Sequence, residues 1–539
     1  MSDSSATITY NMPELRGRKR IYTDAEYLDE SNIPQLMPDF MMIHMQNVSN
    51  MLYLIKFDKG YQPLVRKKTV RSDINIESVA NIANEITEFK LGYVWGNPVA
   101  NVQKSDSLPI GSDKKADNTA ISQLNDFYYA EHSESKDQEL ARFVEICGIG
   151  YQYIDIKRDY VDGDSPFDLI TLNPLFTFCV YSSDIGHRKL AAVTYTERRD
   201  MTRFYTVITP HRVYRYDTAW HLVNGKSNGT LDYIEAKRSG EVNPFGCVNV
   251  VEFNRSCDRT GCFERQVKEL NALNVLASDL CNDVAQNTQA IWWGNDIELG
   301  TDEDGNVEGV KGGQWILTRT NGGGQKPDIK SLTLSYDYTG VIENITTTHD
   351  YILERAFVPK QSDPGGGSTG TAMSMSSGWL AAEMVACKET TVLKQSFQER
   401  NKLALIAIKK SPDISQDLEV LNLTANDIEI RFPRQKTFDM ATKVNSLATM
   451  LNSMVNPRVA METVDLFPDL AEAVASSIDN MEKLQTKMLS EDKAEDNVEE
   501  KTAEEWLTDT EIPLTTEVND DRTMQDSSDQ NANSPASDI

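Results

Sequence analysis

Hydrophobic residues recur at helical spacing along the first part of the chain. This spacing predicts helices near residues 39–56 and 75–93, and a further helical region at 120–147. The second predicted helix places its apolar residues on one face: Ile76, Val79, Ile82, Ala83, Ile86 and Phe89. Residues 1–34, in contrast, are mostly polar and are expected to form a loosely ordered arm.

From residue 149 to residue 253 the pattern changes to short runs rich in Val, Thr, Tyr and Phe. Turn sequences such as Asn173-Pro174 and Asn243-Pro244 separate these runs, which is typical of strands. Helical and strand patterns thus occur in separate blocks rather than in alternation. The sequence therefore predicts an α+β body.

The next region predicts two helices around a β island. A helix over residues 263–290 carries a broad apolar stripe: Val267, Leu270, Leu273, Ala277, Leu280 and Val284. Residues 292–338 show short strands with turns at Asp304-Gly305 and Asn321-Gly322, and a helical pattern returns over residues 340–357. This order indicates a stalk with a tip, although the first helix is also compatible with one more core helix.

A glycine-rich loop at residues 362–371 precedes the longest helical pattern, over residues 372–410. Glycine permits positive φ at low steric cost, and Thr369 or Thr371 can cap the helix. The apolar residues of this helix spread over more of its surface than one small domain would cover: Met375, Leu380, Met384, Val392 and Leu393. We therefore expect it to pack against the next subunit of a closed oligomer. A strand near 422–432 and helices near 438–454 and 457–487 follow.

The order of these elements resembles the portal proteins of tailed bacteriophages, in the branch typified by siphophages of Gram-positive hosts. The resemblance covers residues 35–485 and rests on order and spacing rather than on one specific motif. The segments that carry it are 91–99 (Leu-Gly-Tyr-Val-Trp-Gly-Asn-Pro-Val), 143–156, 267–290, 340–410 and 428–432.

The resemblance implies a portal fold with named parts. These are an N-terminal arm (1–34), a wing (35–262), a stem helix (263–291), a clip (292–338), a second stem helix (339–357), a tunnel loop (358–371), a long tunnel helix (372–410), a crown (411–488) and an acidic tail (489–539).

The resemblance also implies a mechanical function. A homododecameric ring, as in the family, would sit at one capsid vertex of the virion after assembly in the host cytoplasm. Double-stranded DNA would pass through it without sequence preference. The implied protein partners are terminase, scaffold, the major capsid protein and a head-completion adaptor. Because ATP hydrolysis would belong to the terminase, the chain itself is not expected to be an enzyme.

Two sets of residues are candidates for facing DNA. By resemblance, the tunnel loop presents Asp363, Gly365, Gly366, Gly367, Ser368, Thr369 and Gly370, although a flexible linker between helices is the alternative. Possible channel-lining residues on the helices are Asp279, Asp283, Glu343, Asp350, Glu354, Lys388 and Lys394. A plain solvated helix face is equally compatible with the acidic ones. Lys388, Lys394 and Arg400 are expected to face either DNA or a neighbouring subunit.

The charge of the chain limits how tightly it can bind DNA and marks an acidic C-terminal segment. The formal net charge of −28 argues against a tight grip on DNA phosphates, which requires Lys and Arg. Residues 490–539 hold 16 acidic and 3 basic residues, so we expect a disordered tail that is dispensable for assembly. Within it, only Glu504-Glu505-Trp506-Leu507 suggests a docking motif. No apolar run has the roughly 18 residues that a membrane span needs.

No catalytic or cofactor motif emerges from the sequence. Cys257 and Cys262 lack zinc-site spacing and are expected to be free thiols, and seven cysteines give no disulfide framework. Residues 322–327 lack the Ser or Thr of a phosphate-binding loop. Two alternatives to a portal protein stay open: a soluble adaptor that never forms a ring, and a metal-dependent DNA-processing enzyme, which would require a carboxylate cluster.

Overall fold

Nine α-helices occur in the part of the chain that the computed structural model describes. That part comprises residues 15–64, 74–104, 119–157, 160–161, 163–223, 240–288, 291–296, 315–319, 328–332, 338–360, 378–412, 414–415, 417–434, 440–453, 455, 457–464 and 466. The helices are α1 (Ile33–Asp58), α2 (Ile82–Trp95), α3 (Thr119–Ala130), α4 (Ser133–Cys147), α5 (Val267–Thr288), α6 (Tyr338–Arg355), α7 (Trp379–Lys410), α8 (Met440–Asn452) and α9 (Pro457–Val464).

Fourteen strands in the described residues form four sheets, which confirms the α+β class. They are β1 (Ile21–Thr23), β2 (Ala100–Gln103), β3 (Ile149–Ile156), β4 (Phe167–Leu172), β5 (Thr177–Ser182), β6 (Lys189–Glu197), β7 (Arg203–Ile208), β8 (Arg212–Tyr216), β9 (Glu241–Val242), β10 (Val250–Asn254), β11 (Ile291–Asn295), β12 (Trp315–Thr318), β13 (Asp328–Leu332) and β14 (Ile428–Arg431). The strand orders are β1-β5-β6-β7-β8-β9, β10-β3-β4, β12-β11-β13 and β14-β2.

Three apolar cores connect the sheets to the helices, one of which packs the start of α1 on the six-stranded sheet. The first joins α1, α2 and β3 to the start of α5 and the end of α6, through buried residues that include Phe57, Ile86, Tyr151, Phe263, Leu270 and Ile352. The second surrounds α7 and includes Trp95, Leu140, Phe253, Phe397 and Ile430. Because both α5 and α6 enter the first core, the stalk is anchored in the α+β body at its base.

Several helix limits differ from the predicted ones. Helix α1 begins at Ile33, and the predicted region 120–147 is two helices separated where His132 adopts a φ of 52°. The helix predicted to start at residue 75 starts at Ile82. Residues 74–81 lie outside the helix, with Asn81 at a φ of 46°, and backbone groups of Ile76, Ser78 and Ala80 bind side chains of α5.

The N-terminal residues 15–34 are not the loosely ordered arm that the polar sequence predicts. Strand β1 pairs in parallel with β5, and Arg18 is buried with its NH2 2.7 Å from Oε1 of Glu264. Glu264 also accepts hydrogen bonds from the backbone N–H of Gly17 and Gly261. The polar residues of this segment therefore bind the base of α5, a partner about 250 residues away that composition cannot reveal.

The predicted β island between two helices is confirmed. Helices α5 and α6 pack together, and the sheet β12-β11-β13 follows α5 and precedes α6 in the chain. Strand β11 pairs in parallel with β12 and antiparallel with β13. The predicted turns at residues 304–305 and 321–324 lie outside the described residues.

Helix α7, with 32 residues, is the longest described helix and ends at Lys410 as predicted. It begins at Trp379 rather than at residue 372, and its N-cap is Gly378 rather than Thr369 or Thr371. After it, β14 pairs antiparallel with β2, so the chain returns to the α+β body before α8 and α9. The start of the last predicted helix is present in α9, whereas residues 467–539, with the acidic tail, lie outside the described residues.

Candidate functional site at the helix junction and the stalk

Two points of the chain meet where α6 ends and α7 begins. A Cβ atom built on Gly378 would lie 3.8 Å from Cα of Pro359, so the two flanks of residues 361–377 stand side by side. Gly378 has a φ of 83°, a conformation that favours glycine. The predicted loop residues lie outside the described residues: Asp363, Gly365, Gly366, Gly367, Ser368, Thr369 and Gly370. The described flanks are therefore where the attachment of this segment can be analysed.

An aromatic cluster anchors the first turn of α7. The ring of Trp379 lies 6.1 Å from that of Phe89 and 5.7 Å from that of Tyr93, and the last two rings stack at 5.5 Å. The Tyr93 hydroxyl donates a 2.6 Å hydrogen bond to Glu383. Burial and this carboxylate both raise the pKa of Tyr93, so the hydroxyl remains a donor at neutral pH. Helix α2 thereby fixes where α7 begins.

The other flank is held by a turn in an uncommon conformation. Phe357 has a φ of 57°, which is costly for a bulky residue. Hydrogen bonds from Phe357 N to Glu354 O and from Val358 N to Leu353 O close the end of α6. The Lys90 ammonium group reaches the Phe357 carbonyl at 3.4 Å. Burial is the main cause that lowers the pKa of Lys90, and nearby Arg255 acts in the same direction.

A cluster of buried charges lies beneath this junction. Arg255 Nε donates to Glu145 at 2.9 Å, and Arg255 NH2 lies 3.2 Å from Glu389 of α7. Burial raises the pKa of Glu389 well above its usual value. At Glu145 burial acts in the same direction, but the charges of Arg255 and Lys90 and the hydrogen bonds with Arg255 and Glu389 together outweigh it and hold the pKa below normal. The pKa values of the two carboxyls therefore shift in opposite directions while both lie beside one guanidinium in the core.

Three polar side chains of α5 bind the extended segment 74–81, an arrangement that we call the ladder. Asn274, Ser278 and Asn282 are all buried. The hydrogen bonds are Ile76 N to Asn282 Oδ1 at 2.8 Å, Asn282 Nδ2 to Ile76 O at 2.9 Å, Ser78 N to Ser278 Oγ at 2.9 Å, Ser278 Oγ to Ser78 O at 3.1 Å and Ala80 N to Asn274 Oδ1 at 3.1 Å.

The ladder works because helix and extended chain have nearly matching repeats. Four helical residues rise by about 6 Å. Two extended residues rise by about 6.6 Å. Every turn of α5 therefore meets every second residue of the segment. The apolar stripe predicted for α5 is correct at Val267, Leu270 and Leu273, but Val284 at its far end is 47% exposed. The four-residue spacing of Asn274, Ser278 and Asn282 is the signal that sequence reasoning missed.

Other types of functional site were sought in the same part of the chain. Among the described residues, no three His, Cys, Asp or Glu side chains are placed to hold a metal ion. None of the described helices is long and apolar enough to cross a membrane. Cys257 is exposed, Cys262 is buried, and neither forms a disulfide.

Comparison with known families identifies the family of this chain. The family model described as "Phage portal protein, SPP1 Gp6-like" matches residues 66–492. The chain belongs to this family. The matched range contains the ladder, the stalk, the helix junction and α7, so the portal assignment covers the whole candidate site. A search of curated proteins found no match.

In this portal protein the acidic candidates on the stalk lie at the surface of the single chain. Asp279, Glu343 and Glu354 are exposed, and Asp283 and Asp350 are partly exposed. Asp350 accepts a 2.9 Å hydrogen bond from Lys360, which lowers the pKa of Asp350. Its charge is thus partly offset by the residue that follows the α6 turn.

The basic candidates on α7 separate into two kinds. Lys388 and Lys394 are exposed, whereas Arg400 is 2% exposed. Arg400 NH1 donates to both carboxylate oxygens of Asp137, at 2.6 and 2.9 Å, and its guanidinium lies over the rings of Tyr128 and Phe397. The prediction that Arg400 faces DNA or a neighbouring subunit is therefore wrong. Its charge compensates a buried carboxylate within the same chain.

Proposed function

We propose that this phage portal protein forms a closed homododecameric ring at one capsid vertex, through which DNA is packaged and later ejected. The observation that carries the proposal is the stalk of α5, a β island and α6, followed by the long α7, inside the matched residues 66–492. In this reading α5 and α6 are the stem helices, residues 292–338 the clip, residues 35–262 the wing and residues 411–488 the crown.

The tunnel loop, residues 358–371, is proposed to project into the channel. Supporting this, its described flanks at Pro359 and Gly378 adjoin, so the loop can extend without separating α6 from α7. The loop residues Asp363, Gly365, Gly366, Gly367, Ser368, Thr369 and Gly370 would touch DNA through backbone amides and hydroxyls. Such contacts are blind to sequence. The stem carboxylates, Asp279, Asp283, Glu343, Asp350 and Glu354, would repel phosphate and keep DNA mobile.

The clip is the proposed docking site for terminase during packaging and for the head-completion adaptor afterwards. Scaffold and the major capsid protein are the proposed partners during head assembly, which would take place in the cytoplasm of a Gram-positive host. ATP hydrolysis is assigned to terminase, so this chain contributes the channel and the docking surfaces rather than a chemical step.

Native mass measurement and end-on electron microscopy of the purified full chain test the ring. We expect a closed ring whose mass is a whole multiple of 60.6 kDa. Monomers alone, across a range of salt and protein concentrations, would contradict the proposal and would favour an adaptor that never forms a ring.

A further inference from the structure

One face of α7 is left uncovered by its own chain. At about 100° per residue, the exposed residues of α7 between Leu380 and Lys402, apart from Ala381, fall within roughly one third of the helix circumference. They are Leu380, Met384, Cys387, Lys388, Thr391, Lys394, Gln395, Gln398 and Lys402. We call this strip, about 33 Å long at 1.5 Å per residue, the lysine face. The opposite side of the helix is core, with Leu393 and Phe397 fully buried.

The lysine face carries three positive charges and no carboxylate. The three glutamates of α7 are bound by their own chain: Glu383 by Tyr93 and Arg434, Glu389 by Arg255, and Glu399 by Lys189. Solvated helix faces usually interleave both signs of charge. Here Lys388, Lys394 and Lys402 have no ion-pair partner among the described residues.

We propose that the lysine face docks on a carboxylate-bearing surface of a second copy of this chain, an inference that rests on the proposed ring. Each copy has a formal net charge of −28, so identical copies repel one another unless cations face the contact. Leu380 and Met384, 59% and 63% exposed, lie at one end of the same face. A protein surface would cover these apolar side chains, whereas a DNA backbone offers them only phosphate and sugar.

The composition of the face also determines the kind of contact. A two-fold symmetric dimer through this face would place lysines opposite lysines. The partner surface must therefore be a different part of the next copy, which makes the contact heterologous. Heterologous contacts continue from copy to copy and close into rings when the rotation permits. The lysine face is thus one half of a ring-forming interface.

The test compares two triple variants that change net charge equally. K388E/K394E/K402E reverses the lysine face, and K19E/K56E/K59E reverses three exposed lysines outside α7 and the stalk. Sedimentation velocity gives the concentration of half-assembly. We expect the first variant to raise that concentration roughly tenfold or more and the control to leave it close to wild type. Wild-type assembly should also weaken as salt rises.

A mixing experiment removes misfolding as an explanation. K388E/K394E/K402E keeps its carboxylate surface, so it should bind the lysine face of a wild-type chain. Because it has no lysine face for the next copy to bind, it should block ring closure. The milder K388Q/K394Q/K402Q variant should lose the salt dependence of assembly. Retained salt dependence in that variant overturns the proposal, whatever the Glu variant does.

The remaining outcomes separate the two proposals. Wild-type-like assembly of K388E/K394E/K402E overturns the docking role but leaves the ring intact. If K388E/K394E/K402E forms normal rings that retain less duplex DNA in a filter-binding assay, the lysine face binds DNA. That result would likewise overturn the docking role. Wild-type chains that stay monomeric at every salt concentration would refute both the docking role and the ring.

Discussion

The α+β body, proposed above as the wing and taken here together with α7, differs from the stalk in how it satisfies charge. Several wing ion pairs are buried, as in Arg255–Glu145, Arg259–Glu252 and Arg400–Asp137, while others such as Arg142–Glu88 are exposed. Beyond the base of α5, where Glu264 pairs with buried Arg18, the stalk ion pairs are exposed, as in Arg355–Glu269 and Lys330–Asp328. A buried charge requires its partner in the same folded unit, whereas an exposed pair contributes little. The buried ion pairs of the wing are therefore formed within one chain, whereas the exposed charged groups of the stalk can contact other molecules.

Exposed apolar residues occur on both parts of the chain. The wing exposes Tyr61 and Tyr129, among others, and the stalk helices expose Leu276, Val284, Ile342 and Tyr351 by 37–52%. Exposed apolar residues on a two-helix stalk are what neighbouring copies in a ring would cover. Substitutions in the wing should thus change the stability of the single chain, and substitutions in the stalk and junction should change assembly or translocation.

The largest expected effect is the loss of a buried wing charge. Arg400→Met leaves Asp137 buried with only Gln152 as a partner, and should lower the free energy of unfolding by about 3–5 kcal/mol. Arg265→Met breaks an ion pair that is 69% exposed on both sides and should cost less than about 1 kcal/mol. Thermal unfolding below the assembly concentration measures both. Equal losses would contradict the contrast between buried and exposed pairs.

A pH effect of slightly smaller size should come from His44 in α1. Burial lowers the pKa of His44 from 6.5 to about 4, and its Nε2–H donates to Leu175 O at 3.1 Å. The unfolded chain therefore binds this proton below pH 6.5 while the folded chain does not. Stability is full above pH 6.5 and falls by roughly 3 kcal/mol as pH drops to about 4.

Substitution isolates this contribution from that of the carboxylates. His44→Phe should flatten the stability profile between pH 6.5 and 4, since a phenyl ring suits the contacts with Phe178 and Tyr195. His221→Gln removes an 81% exposed histidine and should keep the wild-type slope. An unchanged slope in His44→Phe would show that another group titrates.

The ladder, where the wing meets the stalk, should give an intermediate effect. Asn282→Ala removes both partners of the Ile76 backbone and should cost about 1–3 kcal/mol. Thr347→Ala, at an exposed position of α6, is the control and should change stability by less than about 0.5 kcal/mol. Thermal unfolding of the two variants measures the difference. Equal stability of Asn282→Ala and Thr347→Ala would show that the ladder contributes nothing.

The smallest effect on stability is expected at the tunnel loop, together with the largest effect on function. Deleting residues 363–370 should leave ring size and thermal stability nearly unchanged, because a projecting loop adds little packing. Packaging by proheads that carry the altered ring should fail or slow. Changing Gly365, Gly366 and Gly367 to Ala should act in the same direction but more mildly.

Electron microscopy of the same rings supplies the control for the loop. Intact rings that package normally would end the tunnel-loop hypothesis. Disrupted rings would instead identify residues 363–370 as a structural linker between α6 and α7.

Local spacing predicted the parts of this fold that depend on neighbours in sequence. The helical pattern located α5, α6 and α7, and the turn-rich stretch between α5 and α6 predicted the β island. What it missed depends on partners far along the chain. Arg400 meets Asp137 across 263 residues and Asn282 meets Ile76 across 206. A polar residue such as Arg400 or Asn282 has the same neighbours in sequence whether its side chain binds water or a buried group.

To the segment 74–81, α5 takes the place of a neighbouring β-strand. Only alternate residues of the segment face this substitute strand, so amide hydrogen exchange should alternate along it. The N–H groups of Ile76, Ser78 and Ala80 should exchange slowly, and those of Glu77 and Val79, which have no backbone partner among the described residues, should exchange fast. Because breaking any hydrogen bond of the ladder requires α5 to separate from the segment 74–81, the three slow amides should share one exchange rate. That rate would report directly how often a stem helix leaves its wing.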